Sequence, residues 1–260
     1  MTSRRQPPAR LLTAAAALVV TAFAVSSGAA GAEPPTSDPQ LDPAFCDGVV
    51  GYQAATTGFP ETPEEIALFV DDQVMPALDL MVEHSDGDLA ASVGVLRDAI
   101  LELEDSGDPT PLFEDPEVLG AQEAVGEATH RQCELQAIDV LAADYSFGGI
   151  PEEIDAGRVS IAFVNDGEEE HELVLLRRPD DSTMTLDEYL SGDPGALFEQ
   201  AEFAGVLFAG PGGTMYTALD LDPGTYFAIC MIPTGGDPEA EPHSAHGMTA
   251  TLVVSDPGTV

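Results

Sequence analysis

The sequence predicts a multidomain chain, with an N-terminal all-α helical bundle over residues 42–136 followed by an all-β Greek-key sandwich over residues 137–256. Three observations carry this expectation. The chain has 260 residues, more than one typical domain and enough for two once an export leader is set aside. Apolar residues recur at helical spacing up to about residue 136. Beyond residue 137 the period changes to alternation, with turn signals between short apolar runs.

Residues 1–32 read as an export signal. Arg4, Arg5 and Arg10 form a basic start, Leu11 to Ala24 is an uncharged apolar stretch, and Ala30-Gly31-Ala32 offers a small-residue cleavage site. A membrane anchor is the alternative, but this Ala-rich stretch falls short of the ~20 strongly apolar residues that a spanning helix needs. Ser3-Arg4-Arg5 resembles a twin-arginine start, while Pro7 and Pro8 stand where that pattern has an apolar residue, so both export routes stay open. Residues 33–41 form a Pro-rich linker. The expected product is a secreted, extracellular protein without a membrane span.

All eight basic residues are arginines, and removing the leader leaves five of them against 47 acidic residues. Such a surface repels nucleic acid and anionic lipid and suits a cationic partner or a saline medium. It reads better as a solvated acidic coat that keeps the protein in solution, and it identifies no substrate.

Phe45, Val49 and Tyr52 share one face of a first helix. Thr62-Pro63-Glu64-Glu65 then offers a capping box, with Thr62 as N-cap and Pro63 at the first helical position. Ile66, Phe69 and Val70 open the apolar stripe behind it, and Pro76 is expected to kink or divide the segment. Leu89, Val93, Leu96 and Ile100 fall on one side of a third helix, and Asp115-Pro116 starts a fourth that runs to about Leu135. Short turns between four helices predict an antiparallel bundle. Cys46 at the start of its first helix and Cys133 near the end of its fourth would then share a pole, and export permits a disulfide between them. His130 and Cys133 as a metal pair on one helical turn are the competing reading.

In the second half, Val159, Ile161 and Phe163 share one strand face, Asn165-Asp166-Gly167 signals a turn, and His171, Leu173 and Leu175 share a face of the next strand. Residues 203–208, 215–221, 225–231 and 249–254 read as further strands, separated by Gly210-Pro211-Gly212-Gly213 and Asp222-Pro223-Gly224. Thr183 to Gln200 interrupts the series with a short helix or a long excursion.

Pairing Cys46 with Cys133 leaves Cys230 alone in an oxidising compartment, where a free thiol is a liability. Deep burial as a small apolar residue would explain its presence, and so would ligation of a metal as thiolate. His243 and Met248 follow five residues apart, and His171 points to the same face as Leu173 and Leu175. Taken singly, His171 could be a hydrogen-bonded core histidine and Met248 core filling. Taken together, two imidazoles, one thiolate and a distant thioether are what copper needs to cycle between its oxidation states without large rearrangement.

Here the chain resembles the cupredoxin family, of plastocyanin and azurin type. The matching residues are Asn165-Asp166-Gly167 followed by His171-Glu172, then Pro223-Gly224-Thr225-Tyr226-Phe227-Ala228-Ile229-Cys230, and finally His243-Ser244-Ala245-His246-Gly247-Met248. The resemblance covers residues 138–256. It implies one copper ion, with His171, Cys230 and His243 as equatorial ligands and Met248 as the axial one, in a cupredoxin-like domain that passes single electrons to and from a redox partner protein. Two features depart from the family. Cys230 and His243 are separated by twelve residues, where plastocyanin-like proteins have a much tighter loop, and the insert from Gly235 to Pro242 is acidic. His246 also competes with His243 as ligand, and the five-residue step to Met248 favours His243.

A copper-binding or delivery protein without electron transfer, and a metal-free interaction module, are the other readings of the same residues. Enzymatic activity is not expected. Copper oxidases built on this fold need further centres made of clustered histidines, and of the five histidines here two, His84 and His130, lie in the helical half. No Gly-x-Ser-x-Gly, phosphate-cradling loop or His-Glu-x-x-His occurs. Glu168-Glu169-Glu170 beside His171 could suggest acid–base work but reads better as a solvated turn.

Overall fold

Six helices occupy the first part of the chain in a computed structural model that describes residues 40–56, 62–191 and 194–258. The predicted export leader (1–32) and residues 33–39 of the predicted linker lie outside the described residues. Among the described residues no helix is long and apolar enough to cross a membrane.

Helix α1 (Pro43–Thr56) starts where the Ala44 amide donates to Asp42 Oδ1, and it buries Phe45, Val49 and Tyr52 on one face as their spacing requires. The Thr62 hydroxyl caps α2 (Pro63–Phe69) by accepting from the Glu65 amide, while the Glu65 carboxylate reaches back to the same hydroxyl at 2.7 Å. Pro76 divides the next segment through the backbone. A π turn over Val70–Val74 precedes α3 (Met75–Glu83), and the Met75 amide reaches Val70 O five residues back. This wider turn lets the chain stay helical where Pro76 has no N–H to donate. Helix α4 (Gly87–Ser106) buries Val93, Leu96 and Ile100 and stops at Gly107, which takes the left-handed conformation at φ 68°. After the short α5 (Thr110–Glu114), Asp115 caps α6 (Pro116–Gln132), ending three residues earlier than the sequence suggested. Helix α1 packs on α3, and α4 on α6. A disulfide joins Cys46 to Cys133 across 87 residues of sequence. Cys133 is thereby excluded from any metal pair with His130, whose ring contacts Ser160 and Asp139 instead.

The second part is a sandwich of two sheets. One has the order β2-β1-β4-β7, from β1 (Gln136–Ala143), β2 (Ser146–Gly148), β4 (Gly157–Asn165) and β7 (Thr214–Leu221). The other has the order β3-β9-β8-β5-β6, from β3 (Glu153–Asp155), β5 (His171–Arg177), β6 (Glu202–Ala209), β8 (Gly224–Ile229) and β9 (Thr249–Ser255). Strand β1 runs parallel to β4 in the register Val140 to Phe163, and β5 runs antiparallel to both β6 and β8. Between the sheets Ile138, Val140, Ile161, Phe163, Leu173 and Leu252 belong to one core. Burial of each such large apolar side chain contributes roughly 1.5–3 kcal/mol.

Strand β4 is buried almost continuously rather than alternately, because both of its faces are covered. Val159, Ile161 and Phe163 face the sandwich core, while Ser160 accepts the helical layer, with its hydroxyl 3.0 Å from His130 Nδ1. Ala218 of β7 belongs to the helical core cluster, Thr217 bonds Gln53 of α1, and Arg158 pairs with Asp47. Strands β5 and β8 are likewise covered outside, where α7 (Leu186–Leu190) and α8 (Pro194–Gln200) lay Tyr189 and Leu197 on Leu176, Phe227 and Ile229. The contact between α6 and β7 is close enough to test. A Cβ at Gly126 would lie 2.4 Å from Tyr216 Cβ, which is fixed to the backbone and cannot swing away. Gly126→Ala is therefore expected to destabilise the protein by about 1–3 kcal/mol, read as a lowered melting temperature. An unchanged melting curve would show that the helices do not rest on this sheet.

Candidate metal centre

Three chain segments meet at one end of the sandwich. His171 opens β5 and shares its inward face with Leu173 and Leu175. Along β8 the same alternation turns Tyr226 and Ala228 inward and carries Cys230, the next residue of that series, to the same face. Met248 stands immediately before β9, and its carbonyl accepts from the Cys230 amide at 3.2 Å. His171, Cys230, His243 and Met248 are each 0% exposed.

The twelve-residue insert closes at its base. The His243 amide bonds Ile232 O at 2.9 Å, the Ser244 amide bonds Cys230 O at 2.9 Å, and the Met248 amide bonds His243 O at 3.1 Å. Pro233 and Pro242 bridge like a short antiparallel pair, and Thr234 ties to Glu241, so the acidic residues loop outward. His243 begins a 3-10 turn (His243–His246) ended by Gly247 at φ 106°, which brings Met248 back beneath it. His246, the competing ligand, is on the exposed side of that turn.

The donor atoms of His171, Cys230 and His243 all lie within 4.8 Å of one another. The two Nδ1 atoms are 3.1 Å apart, and His243 Nδ1 is 3.4 Å from Cys230 Sγ. Both rings are turned by carboxylates on their far side. His171 Nε2 meets Asp144 Oδ1 at 3.2 Å, and His243 Nε2 meets Glu169 Oε2 at 3.2 Å. An ionised carboxylate only accepts, so each Nε2 must carry the proton and each Nδ1 presents a lone pair to the centre. The Glu172 amide donates to Cys230 Sγ at 3.5 Å, and the Glu172 carboxylate accepts from the Met231 amide, which clamps the thiol-bearing segment to β5.

The surrounding charges keep this arrangement. Burial would raise the Asp144 carboxyl, but the Glu168 amide, His171 and the Glu169 amide outweigh it and hold it below the usual range. Glu169 is held low chiefly by the Gly235 amide, with help from Tyr145 and His243 against burial. Burial pushes the His171 imidazole down, against Asp144, and pushes the Cys230 thiol up, against the Glu172 and Ile232 amides.

The Cys230 thiol can donate its proton to His243 Nδ1, but two Nδ1 lone pairs 3.1 Å apart repel unless a cation lies between them. Bonds of first-row ions to imidazole and thiolate run to about 2.0–2.3 Å, which separates donors on one ion by about 3–4 Å. The observed spacings match. Thiolate and imidazole donors suit copper and zinc alike, a thioether beside them adds a donor that favours copper, and the cluster fits one copper ion.

All four sequence-predicted residues are thus buried at this end of the sandwich core, with three donor atoms in direct contact range and Met248 packed in the same cluster. Asp144, Tyr145 and Glu169 went unrecognised in the sequence. The Glu168–Glu170 run is only in part the solvated turn it resembles: Glu168 and Glu170 are exposed, while Glu169 turns inward to His243 and Tyr145. Buried Asn165 holds that turn, donating to Glu169 O and Ala209 O and accepting from the Gly167 amide. Gly167 leaves no room for a side chain, because a Cβ would fall 2.4 Å from Asp144 Oδ1 and 2.6 Å from His171 Nε2. Gly167→Ala should wedge open this hydrogen bond and weaken metal binding by about 10–100-fold, measurable by competition with a chelator. An unchanged affinity would show that Asp144 does not orient His171.

No protein-family model matches the chain, and no curated protein sequence does. Over 46% of its length the chain is similar to the solved structure of dithionite-reduced auracyanin from Roseiflexus castenholzii, with 21% identity, 97% of that chain covered and a TM-score of 0.32. It is similar over the same share to auracyanin A, described as a "blue" copper protein, from Chloroflexus aurantiacus, with 23% identity, 98% of that chain and a TM-score of 0.30. Rusticyanin from Thiobacillus ferrooxidans is also similar over 46% of this chain and 78% of its own, with 21% identity and a TM-score of 0.29. These likenesses fall on the C-terminal half.

Proposed function

We propose that this chain is an exported, mononuclear type 1 copper protein that accepts and donates single electrons, with His171, Cys230 and His243 as principal ligands and Met248 as the weak axial one. The observation that carries this reading is the convergence of two Nδ1 lone pairs and the Cys230 sulfur in a fully buried pocket, each imidazole anchored from behind by a carboxylate. Two histidines, one thiolate and a distant thioether make the donor set of blue copper electron-transfer sites, and copper held there would supply a one-electron couple. The protein's part is to hold the donors still. Burial excludes water, the carboxylates fix both rings, and the closed neck of the Cys230–His243 segment keeps ligand spacing independent of the acidic loop.

Electron transfer, rather than turnover of a substrate at the metal, is supported by the complete burial of the ligands. A cavity of about 910 Å³ lies instead against α1, α5, α6 and β7 and is lined by none of them. Export is supported by the N-terminal leader and by the Cys46–Cys133 disulfide, which belongs to an oxidising compartment. The helices read as a four-helix bundle that the disulfide closes, packed on α1–α3 and α4–α6 contacts. The partner is a redox protein.

Voltammetry of the copper-loaded protein tests the electron-transfer reading. A reversible one-electron couple is expected. Tight copper binding without a reversible couple would favour a copper-holding or delivery role, and no uptake of added copper would leave only a metal-free module.

A further inference from the structure

Both imidazoles of the metal centre are sealed from solvent, so the question left open by the proposed function is where an electron enters. Tyr145 offers the way in. Its ring meets the His243 ring edge to face at 5.3 Å between centroids, and it also meets the ring of exposed His246, tilted, at 5.2 Å. The Tyr145 hydroxyl donates to Glu169, the same carboxylate that holds His243 Nε2. Tyr145 sits in the two-residue turn between β1 and β2 at φ 66°, alone among described non-glycine residues in taking a positive φ. That conformation suits Gly or Asn far better than an aromatic residue, so local backbone preference does not explain a tyrosine here. Its contacts with both histidines do.

The charge around this ledge has one sign. The arginines of the sandwich, Arg158, Arg177 and Arg178, stand at the start of β4 and the end of β5, the end opposite to His171, and the chain has no lysine. Exposed Asp144 precedes Tyr145, and exposed Asp166, Glu168 and Glu170 lie in the adjoining turn, whose Glu168 amide bonds Asp144. A surface of uniform negative charge draws cations and slows anions.

We propose that the Tyr145–His246 ledge is the surface on which a cationic one-electron redox partner docks and through which the electron reaches the buried histidine–thiolate centre. This rests on the copper reading above. In the reducing direction the donor loses one electron and the cupric centre gains it; no bond to carbon or hydrogen breaks and no proton need move.

The test uses hexaammineruthenium(II) as cationic one-electron donor and follows bleaching of the blue band in stopped flow. Tyr145→Asn removes the ring while keeping a residue that tolerates φ 66°, and its rate constant is expected to fall several-fold with the band intact. Tyr145→Phe, which retains the ring, should restore most of the lost rate. His246→Ala, at an exposed position that does not threaten folding, should slow the reaction less. A second readout needs no copper: substitution-inert, paramagnetic hexaamminechromium(III) added to the metal-free protein should broaden the Tyr145 and His246 ring resonances before those of the other tyrosines and histidines. Unchanged rates in Tyr145→Asn and His246→Ala, or broadening that spares these two rings, would overturn the docking surface while the blue band upholds the metal site. Absence of a blue band in the unsubstituted protein would instead overturn the copper reading. If Tyr145→Asn alone loses the band, His246→Ala and the chromium mapping decide.

Discussion

Cys230→Ser is expected to abolish the blue colour of the copper-loaded protein and to weaken copper binding by more than the roughly 10–100-fold that loss of a supporting hydrogen bond costs. The substitution changes one buried atom. Serine is nearly isosteric, its hydroxyl would keep His243 Nδ1 as partner in place of the 3.4 Å sulfur contact, and the backbone bonds to Met248 and Ser244 do not involve the side chain. The fold should therefore survive. What disappears is the soft, charge-donating ligand that favours the cuprous state and gives the strong charge-transfer absorption. Visible spectra and chelator competition on the folded variant measure both effects. A Cys230→Ser protein with unchanged colour and affinity would remove the thiolate from the account.

Removing the disulfide should have the largest effect on stability. The bridge closes an 87-residue loop, for which loop entropy gives roughly 4–5 kcal/mol. In a protein of this size, that corresponds to a fall in melting temperature of roughly 10–20 °C. The double variant Cys46→Ser with Cys133→Ser should nevertheless remain blue below its transition. Cys133 lies just before β1 and Asp144 just after it, so the strand's eight residues set the two about 25 Å apart. Thermal melts and visible spectra on the same samples separate the two quantities. Equal stability with and without the bridge would mean that the packing of the helices on one another and on β7 and β4 holds the helical region without it.

How far the sequence discloses these features depends on whether they are periodic. Val159, Ile161 and Phe163, or Tyr226, Ala228 and Cys230, recur at every second residue and so share one strand face, and β4 to β9 were legible from such short apolar runs between turn signals. Strands β2 and β3 have three residues each, too few to establish a period. Pro76 was legible as an interruption, yet the π turn that accommodates it was not, since it depends on a shift in hydrogen bonding that no side chain announces. The packing of helices on the sheet has a trace in the chain: Ser160 and Ala162 between the core residues of β4 are small, which suits a second covered face. Small residues also suit solvent, and the pattern alone does not choose.

The metal centre divides in the same way. His171, Cys230, His243 and Met248 are rare residue types in an acidic chain, and their order and spacing carry chemistry. Asp144 and Glu169 are two acids among 47, and they reach the imidazoles only because the β1–β2 turn and the segment before β5 converge in space. Nothing in the sequence marks Tyr145, which stands out through its φ and its contacts with two histidine rings. The long insert stands out as a departure from the family because sequence separation is its visible property, whereas the bonds from His243 to Ile232 and from Ser244 to Cys230 close it at the base.

A titration of the purified, metal-free protein with cupric ion, followed by visible absorption, tests the central claim most directly. An intense blue band that grows linearly and saturates at one equivalent is expected. A correctly folded protein that takes up no copper, or fills its site and stays colourless, would contradict it.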